Sequence, residues 1–236
     1  MLTRINKFIA DSGITSRRKA EELILQGRVS VNDSVIVNLG YRIDPDRDKV
    51  FIDGERIKTR SNVYYLLNKP RRVISTTSDE RNRNTVVDLI NTKEKIYPVG
   101  RLDYNTTGIL LLTNDGEFSN LLTHPKNKVP KKYEVRLDRE LDERDKLKLI
   151  KGVMIDRKKG RFLNINQSNP TERKLVEVEC VEGRNHFVKK MFEALGYNVK
   201  KLNRSLFAGL KTDIPVGKYR ELTKKEVQKI IDKYSN

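Results

Sequence analysis

The sequence predicts an α+β protein in two parts, a small unit of two helices and short strands and a larger unit that mixes strands with helices. Before Lys58, apolar residues recur first at helical spacing and then at strand spacing. A short polar and basic run, Lys58–Asn62, follows, and a new apolar strand begins at Val63. We therefore expect two domains, residues 1–60 and 63–236, separated by a linker.

The first unit opens with two short helices and continues with strands. The first helix is predicted from apolar residues at i, i+3 and i+4, which are Ile5, Phe8 and Ile9. Ser16 is a favourable cap for the second helix, and Gly27 ends it. Two short strands are expected around Asn32 and Asp33, and one further strand is expected over residues 48–57.

The larger unit shows the same two kinds of pattern. Strands are expected over residues 63–70, 109–112, 131–137 and 174–183. Helices are expected over residues 117–125, 185–196 and 223–231. The last helix opens with a capping box formed by Thr223 and Glu226.

Composition indicates a polyanionic partner. The formal net charge is +17, from 49 Lys and Arg against 32 Asp and Glu. Nucleic acid is favoured over an anionic membrane, because the basic residues are spread along the chain and no segment has transmembrane length.

The single cysteine, Cys180, alternates with valines and is typical of a buried strand residue. No intrachain disulfide can form, a structural zinc site is nearly excluded, and we expect a cytosolic protein.

A basic cluster marks the predicted second helix. Arg17, Arg18 and Lys19 occupy its first turn, and Arg28 enters the strand behind it. Cations at this end oppose the helix dipole, so the cluster does not serve helix stability. Helix amides together with these cations would bind a phosphate, although a solvated charged face is the alternative.

The stretches NKFIADSGITSRRKAEELI and GRVSVN resemble the small RNA-binding domain first seen in ribosomal protein S-four. That family usually has Gly where this sequence has Asp33, a residue that tolerates the same turn. The resemblance implies a structured RNA as the partner, and it implies that the basic residues named above contact it.

The stretch PVGRLDYNTTGILLLTNDG places Arg101 and Asp103 directly before a run of Ile and Leu. Such a run is typical of a buried strand, beside which charges are costly unless they are paired or used. An ordinary surface ion pair is the alternative, because short motifs often mislead.

Three further features favour a functional site at Asp103 over an ordinary surface ion pair. Tyr133 heads a strand after two lysines, and Arg184 precedes a helix in which Lys189 lies off the apolar face. Basic residues also follow the first apolar strand in LLNKPRRVIST, as in a loop that lines a groove.

Residues 63–236 resemble the catalytic domain of the bacterial ribosomal RNA pseudouridine synthases, the RsuA and RluB group. The shared signature is Gly-Arg-Leu-Asp, here Gly100–Asp103, followed by Thr106, Gly108 and an aliphatic strand. The resemblance implies a mixed, largely antiparallel sheet flanked by helices. It also implies a monomeric enzyme without a cofactor or a metal, acting on ribosomal RNA.

The resemblance also assigns roles to individual residues. Asp103 resembles the essential aspartate, Tyr133 the active-site tyrosine, and Lys189 the basic residue that pairs with the aspartate. Arg101 resembles the arginine that takes the place of the flipped base. Further RNA contacts are expected at Asn105, Thr106 and Arg184. This sequence departs from the family at Phe187, because many relatives have a polar residue there. The difference affects the expected local RNA contacts and not the expected chemistry.

Pseudouridine formation is an isomerisation, so it requires no redox cofactor and no metal-activated water. It requires an ionised carboxylate, which either attacks the anomeric carbon or takes a proton from the neighbouring carbon. The segment Tyr104–Thr106 and the stretch SRRKAEEL resemble the large-subunit (RluB-like) branch of the family, which implies a large-subunit target. A small-subunit target, a non-catalytic RNA-binding assembly protein and a metal-dependent nuclease are the alternatives.

Overall fold

The computed structural model describes residues 2–167 and 172–235. The chain divides into two compact units. The first unit comprises Met1–Val63, Lys93–Lys95 and Asn114–Gly116, and the second comprises Tyr64–Thr92, Ile96–Thr113 and Glu117–Asn236.

The first unit packs two helices against short strands. In chain order its elements are β1 (Thr3–Arg4), α1 (Ile5–Asp11), α2 (Arg17–Leu25), β2 (Val29–Val31), β3 (Ser34–Val35), β4 (Arg42–Ile43), β5 (Val50–Ile52) and β6 (Glu55–Ile57). Four strands form an antiparallel sheet in the order β3-β2-β5-β6, and β1 pairs with β4. The core of this unit contains Ile5, Ile9, Ala20, Ile24, Val29 and Ile43, all of which are fully buried.

The helix predictions for this unit are confirmed, and one strand prediction is wrong. The Ser16 hydroxyl caps α2 by accepting a hydrogen bond from the Lys19 amide at 3.3 Å. Residues 48–57 form two strands, β5 and β6, rather than one. Asp53 and Gly54 separate them with φ of 51° and 82°. This left-handed conformation is typical of an Asp-Gly hairpin turn, which the expectation of a single strand overlooked.

The remaining elements build one large sheet, a separate two-stranded hairpin and the flanking helices. They are β7 (Tyr64–Lys69), β8 (Tyr97–Pro98), β9 (Thr107–Thr113), α3 (Gly116–Thr123), β10 (Lys131–Leu137), α4 (Glu143–Lys151), β11 (Val153–Ile155), β12 (Lys158–Gly160), β13 (Asn164–Asn166), β14 (Leu175–Cys180), α5 (Phe187–Glu193), β15 (Val199–Phe207), β16 (Leu210–Lys211), β17 (Tyr219–Glu221) and α6 (Lys224–Tyr234). The predicted capping box of the last helix is confirmed, since Thr223 and Glu226 each accept a hydrogen bond from the other's amide.

The large sheet is mixed and largely antiparallel, as expected. Its strand order is β13-β14-β10-β15-β9-β7-β17, with β16 paired to β15 and β8 paired to β9. Among the described strands only β9 and β15 run parallel. One face of this sheet packs against α3 and α6 through a core that includes Leu66, Ile109, Leu111, Phe118, Leu122, Val227 and Ile230. Within the described residues no helix combines the length and the apolar character that crossing a membrane requires.

Gly108 permits the parallel pairing of β9 with β15. Its φ is +106°, and its register partner across the pair is Arg204. A Cβ at this position would collide with the backbone nitrogen, carbon and oxygen of Arg204. Glycine is therefore required here for two reasons, the backbone conformation and the close approach of the two strands.

We predict that Gly108→Ala destabilises the protein by about 2 kcal/mol more than Gly209→Ala does. Gly209 is a matched control, because its φ is +85° but no heavy atom lies within 4 Å of the point that an added Cβ would occupy. Both variants carry the cost of a left-handed alanine, and only the first also displaces a neighbouring strand. Urea-induced unfolding measures the difference, and equal free energies of unfolding for the two variants would contradict it.

Candidate active site

Asp103 lies on the loop between β8 and β9, and main-chain hydrogen bonds fix that loop. The Ser75 hydroxyl donates to the Leu102 carbonyl oxygen at 2.8 Å and accepts from the Leu102 amide at 3.1 Å. The Thr106 amide donates to the Asp103 carbonyl oxygen at 3.0 Å, which closes a tight turn. Because Leu102 is buried, the loop is anchored directly beside the carboxylate.

Lys69, the last residue of β7, also holds the Asp103 loop in place. Its side chain is fully buried, and its ammonium donates to the carbonyl oxygens of Pro70 at 2.9 Å, Thr106 at 3.0 Å and Asp103 at 3.2 Å. Burial lowers the pKa of Lys69 to about 8, and the Asp103 carboxylate opposes this shift. Three carbonyl acceptors match the three donors of an ammonium. Lys69 is therefore a buried residue that stabilises the Asp103 loop. The sequence had instead indicated that the basic residues after this strand line a groove.

The Asp103 carboxylate faces two basic side chains from the start of α5. Lys189 Nζ donates to Oδ2 at 2.6 Å, and His186 Nε2 lies 3.5 Å from Oδ1. His186 precedes the helix with φ of 54°, a left-handed conformation that directs the chain into α5. The ion pair is about three-quarters buried, with side-chain exposures of 23% for Lys189 and 26% for Asp103. The close charge-assisted hydrogen bond offsets the cost of removing this carboxylate from water.

Tyr133 lies on β10 at the centre of the sheet, between β14 and β15. Its register partners are Val178 on one side and Arg204 on the other. The side chain is buried, and burial raises the pKa of the Tyr133 phenol. The Arg204 guanidinium opposes this rise. The phenol is therefore protonated at neutral pH and can act as a hydrogen-bond donor.

Asp103 and Tyr133 line one cavity of about 150 Å³. Its wall is mixed, since apolar side chains such as Leu122 and Phe207 lie beside ionisable ones, which include Arg101, Lys131, Glu182, Arg184, His186 and Arg204. Thr106 also lines the cavity and directly precedes β9, so the cavity adjoins the large sheet. In the described part of the chain, no group of three or more His, Cys, Asp or Glu side chains could hold a metal ion.

The expected RNA contacts of this unit lie in different environments. Arg101 and Asn105 are exposed, and Arg101 lines the cavity. Thr106 is buried, and its hydroxyl has no hydrogen-bond partner although it lines the cavity. Arg184 donates to the Glu182 carboxylate at 2.6 Å and to the carbonyl oxygens of the β11–β12 hairpin, so its guanidinium ties that hairpin to the loop before α5.

The expected RNA contacts of the first unit are on its surface. Arg17, Arg18 and Lys19 are exposed in the first turn of α2, where no acidic residue accompanies them. Arg28 forms a two-point ion pair with Asp53, with donor–acceptor distances of 2.9 and 2.5 Å. The first three cations are thus open to an anionic ligand, whereas Arg28 already has an anionic partner.

Comparisons with known proteins agree with this geometry. Residues 63–194 match the RNA pseudouridylate synthase family, and residues 3–48 match the S4 domain. The chain belongs to the RNA pseudouridylate synthase family. It is an isomerase that acts on RNA, and the predicted resemblance of both parts of the chain is confirmed.

Similar proteins span the whole chain. Ribosomal large subunit pseudouridine synthase B of Bacillus subtilis is 39% identical, and the alignment covers 97% of this chain and 96% of the relative. An uncharacterized RNA pseudouridine synthase of Aquifex aeolicus is 38% identical, covering 98% and 94%. A crystal structure of a pseudouridylate synthase superposes with a TM-score of 0.70 at 28% identity, covering 96% of this chain and 99% of the other.

Three side chains of this site escaped the sequence analysis. Lys69 was not distinguished from its basic neighbours, because its acceptors are main-chain carbonyls that no sequence pattern reports. Lys131 and Arg204 were not considered, although strand alternation offers a signal. Lys131 shares the inward face of β10 with Tyr133, and Arg204 shares the inward face of β15 with Leu202.

We predict that Lys69→Met lowers the free energy of unfolding by about 3 kcal/mol, because it leaves three main-chain carbonyls beside Asp103 without their shared donor. Turnover should also fall, since the loop that presents the carboxylate loses its anchor. Lys190→Met is the control, because Lys190 pairs with Asp156 at the surface. That variant should cost less than about 1 kcal/mol. Urea unfolding and activity assays measure both effects, and equal losses in the two variants would contradict the anchoring role.

Proposed function

We propose that this enzyme converts a specific uridine of large-subunit ribosomal RNA to pseudouridine, with Asp103, Tyr133 and Lys189 as its catalytic residues. The observation that supports the chemistry best is the Asp103 carboxylate, held by Lys189 at 2.6 Å inside a cavity that Tyr133 also lines. The name of the Bacillus subtilis relative supports a large-subunit target over a small-subunit one. The enzyme family argues against a purely structural RNA-binding protein.

The reaction cuts the bond between uracil N1 and ribose C1′, turns the base, and joins uracil C5 to C1′. Asp103 supplies the carboxylate beside the sugar. Lys189 donates to Oδ2, whereas in the described part of the chain Oδ1 has the longer contact with His186, at 3.5 Å. Oδ1 is therefore the oxygen that reacts in our proposal. It either attacks C1′ to form an ester or removes the C2′ proton, and both routes use the same ionised group.

Tyr133 would act on the base. Its ring face offers a stacking surface for uracil, and its hydroxyl lies in a buried environment in which the protonated phenol is favoured. The hydroxyl can therefore donate a hydrogen bond to the base or take part in the proton transfer from C5. Stacking needs only the ring, whereas proton transfer needs the hydroxyl. Removing the hydroxyl therefore distinguishes the two roles.

The position of the carboxylate requires the uridine to leave its stack. A base within a duplex cannot enter a recessed cavity, so the nucleotide must flip outward at a cost of a few kcal/mol. Arg101 is exposed beside the cavity and would fill the vacated position in the RNA, with Asn105 contacting the nearby backbone. Thr106 and Arg184 would act mainly by shaping the cavity.

We further propose that residues 1–60 form an RNA-binding domain and that residues 63–236 form the catalytic domain. Arg17, Arg18 and Lys19 would bind phosphates of the RNA through the exposed start of α2, with Arg28 beside them. The chain would act as a monomer, without a protein partner, in the cytoplasm. The net charge of +17 supports an RNA substrate large enough to engage cations in both domains.

We predict that Asp103→Asn abolishes pseudouridine formation on a ribosomal RNA fragment. Asn is nearly isosteric but can act neither as a carboxylate nucleophile nor as a base. Affinity for the fragment should change by less than about tenfold, or roughly 1.4 kcal/mol, because binding is spread over many cations. Asp156→Asn is the matched control, since Asp156 is a surface partner of Lys190, and it should retain turnover. Detectable turnover in a folded Asp103→Asn variant would refute the role of Asp103.

We predict that Tyr133→Phe lowers the turnover number by at least about 100-fold while leaving RNA affinity nearly unchanged, because the ring remains and the proton-transfer group is lost. Tyr104→Phe makes the same chemical change at an exposed tyrosine on the Asp103 loop and should be close to wild type. Single-turnover assays at saturating enzyme separate turnover from binding. A wild-type rate in Tyr133→Phe would restrict the residue to stacking.

A further inference from the structure

Two cations in the cavity lack an acidic partner. Lys131 Nζ and the Arg204 guanidinium carbon lie 5.7 Å and 4.5 Å from the centroid of the Phe207 ring. Among the described residues no carboxylate lies within ion-pair distance of either. The other basic groups that line the cavity differ. Arg184 pairs with Glu182 and His186 lies 3.5 Å from Asp103, whereas Arg101 is exposed and therefore solvated. We call Lys131 and Arg204 the cation pair.

The cation pair also retains unused hydrogen-bond donors. Arg204 is 2% exposed, and its Nε donates to the Ile109 carbonyl oxygen at 2.7 Å. Its Nη2 is buried and has no hydrogen-bond partner within residues 2–167 and 172–235. Lys131 Nζ donates to the carbonyl oxygens of Val129 and Val181, both at 3.2 Å, which leaves the third donor of its ammonium.

Two neighbouring cations without an acidic partner are costly to bury. Burial lowers the pKa of Lys131, and the charge of Arg204 lowers it further. A buried guanidinium with an open donor is also among the least favourable states of a polar group. Such an arrangement is electrostatically complementary to an anion that enters the cavity during the reaction.

The position of the cation pair identifies the part of the substrate that it would meet. Lys131 and Tyr133 share the inward face of β10, and Arg204 is the register neighbour of Tyr133 on β15. The pair therefore flanks the tyrosine, on which the base would stack. Gly108 fixes the backbone of Arg204 against β9, so this cation cannot easily withdraw.

We infer that the cation pair is the counter-charge for the detached uracil anion, an inference that rests on the proposed function. When the C1′–N1 bond breaks, both electrons leave with the base, and uracil carries one negative charge over its ring nitrogen and carbonyl oxygens. C1′ gains its new bond from Asp103 Oδ1, or C1′ and C2′ form a double bond as Asp103 takes the C2′ proton. When C5 bonds to C1′, the ester bond to Asp103 breaks, or Asp103 returns the proton to C2′, and the charge on the base disappears. The C5 proton then leaves and N1 gains a proton, which completes the isomerisation.

An anion in this cavity has a second possible source, a phosphate group of the RNA. A phosphate would be bound before and after the reaction, so its loss would weaken RNA affinity. The uracil anion exists only after bond cleavage, so loss of its counter-charge would slow the chemical step and leave affinity unchanged. Arg204 lies in the wall of the cavity and is only 2% exposed. A base that enters the cavity can therefore reach it more readily than the RNA backbone, which remains outside.

The test measures single-turnover rates of Arg204→Gln and Arg204→Lys with saturating enzyme. The RNA fragment carries either uridine or 5-fluorouridine at the target position, and loss of the original nucleoside is followed. 5-Fluorouracil is the better leaving group, because fluorine stabilises the detached anion. Arg204→Gln should convert uridine at least about 100-fold more slowly than wild type and should convert 5-fluorouridine with a smaller loss. Arg204→Lys, which restores a charge, should recover at least tenfold.

Arg139→Gln is the matched control, because Arg139 lies over Tyr197 and beside Asp138 rather than in the cavity. It should convert both substrates as wild type does. A wild-type enzyme that forms no pseudouridine would refute the proposed function itself. Given an active wild type, a normal rate in folded Arg204→Gln, an equal loss on both substrates, or a loss confined to RNA affinity would overturn the inference.

A measurement on the wild-type protein covers the case in which both Arg204 variants unfold. 5-Nitrouracil ionises near neutral pH, whereas thymine has a similar size and stays neutral. Each is added as an inhibitor of uridine conversion. The anion should inhibit at a concentration at least tenfold lower than the neutral base does, and equal inhibition, or none from either compound, would overturn the inference.

Discussion

The close parallel pairing of β9 with β15 is the constraint on which the site depends. β9 starts where the Asp103 loop ends, and β15 follows the helix that supplies Lys189. The two strands can approach only because Gly108 has no side chain to meet the backbone of Arg204. Groups that lie far apart in the sequence therefore reach one cavity through main-chain geometry, which holds them more accurately than mobile loops would.

Buried charge is handled in three different ways around this cavity. The Lys69 ammonium is satisfied by three carbonyl oxygens, so it acts as a structural anchor. Lys189 is paired with Asp103 in a close ion pair, so each charge has a partner of opposite sign. Lys131 and Arg204 have neither full hydrogen bonding nor a carboxylate. A protein gains no stability from this last arrangement, which is why we attribute it to function.

The sequence predicted the parts of the molecule that depend on local patterns. The cap at Ser16, the capping box at Thr223 and the buried strand after Asp103 each follow from a few neighbouring residues, and each is present. The assignment of Asp103, Tyr133 and Lys189 came from the family signature rather than from spacing. In the structure Asp103 and Tyr133 line one cavity, and Lys189 contacts Asp103. The two strands on either side of Asp53 were missed because apolar alternation was given more weight than the Asp-Gly turn signal.

Features that depend on the tertiary structure could not be predicted in the same way. Lys69 and Arg71 are both basic residues after an apolar strand, yet only Lys69 is buried, because only its side chain points beneath the Asp103 loop. Arg204 has an inward position that alternation reveals, but its lack of a carboxylate partner depends on every strand packed around it. An absent partner is a property of the whole fold, so no local motif reports it.

In our proposal the charges of the cavity would lie at the two ends of the bond that the enzyme breaks. The Asp103 carboxylate would face the sugar, which becomes electron-poor as the C1′–N1 bond lengthens. The cation pair lies beside Tyr133, where the base would gather the electrons of that bond. A neutral pocket would have to polarise itself during each turnover, whereas fixed charges are already oriented before the substrate arrives. The base becomes neutral again when C5 bonds to C1′. The cations that would favour cleavage would then no longer attract the product, and the modified nucleotide could return to the RNA.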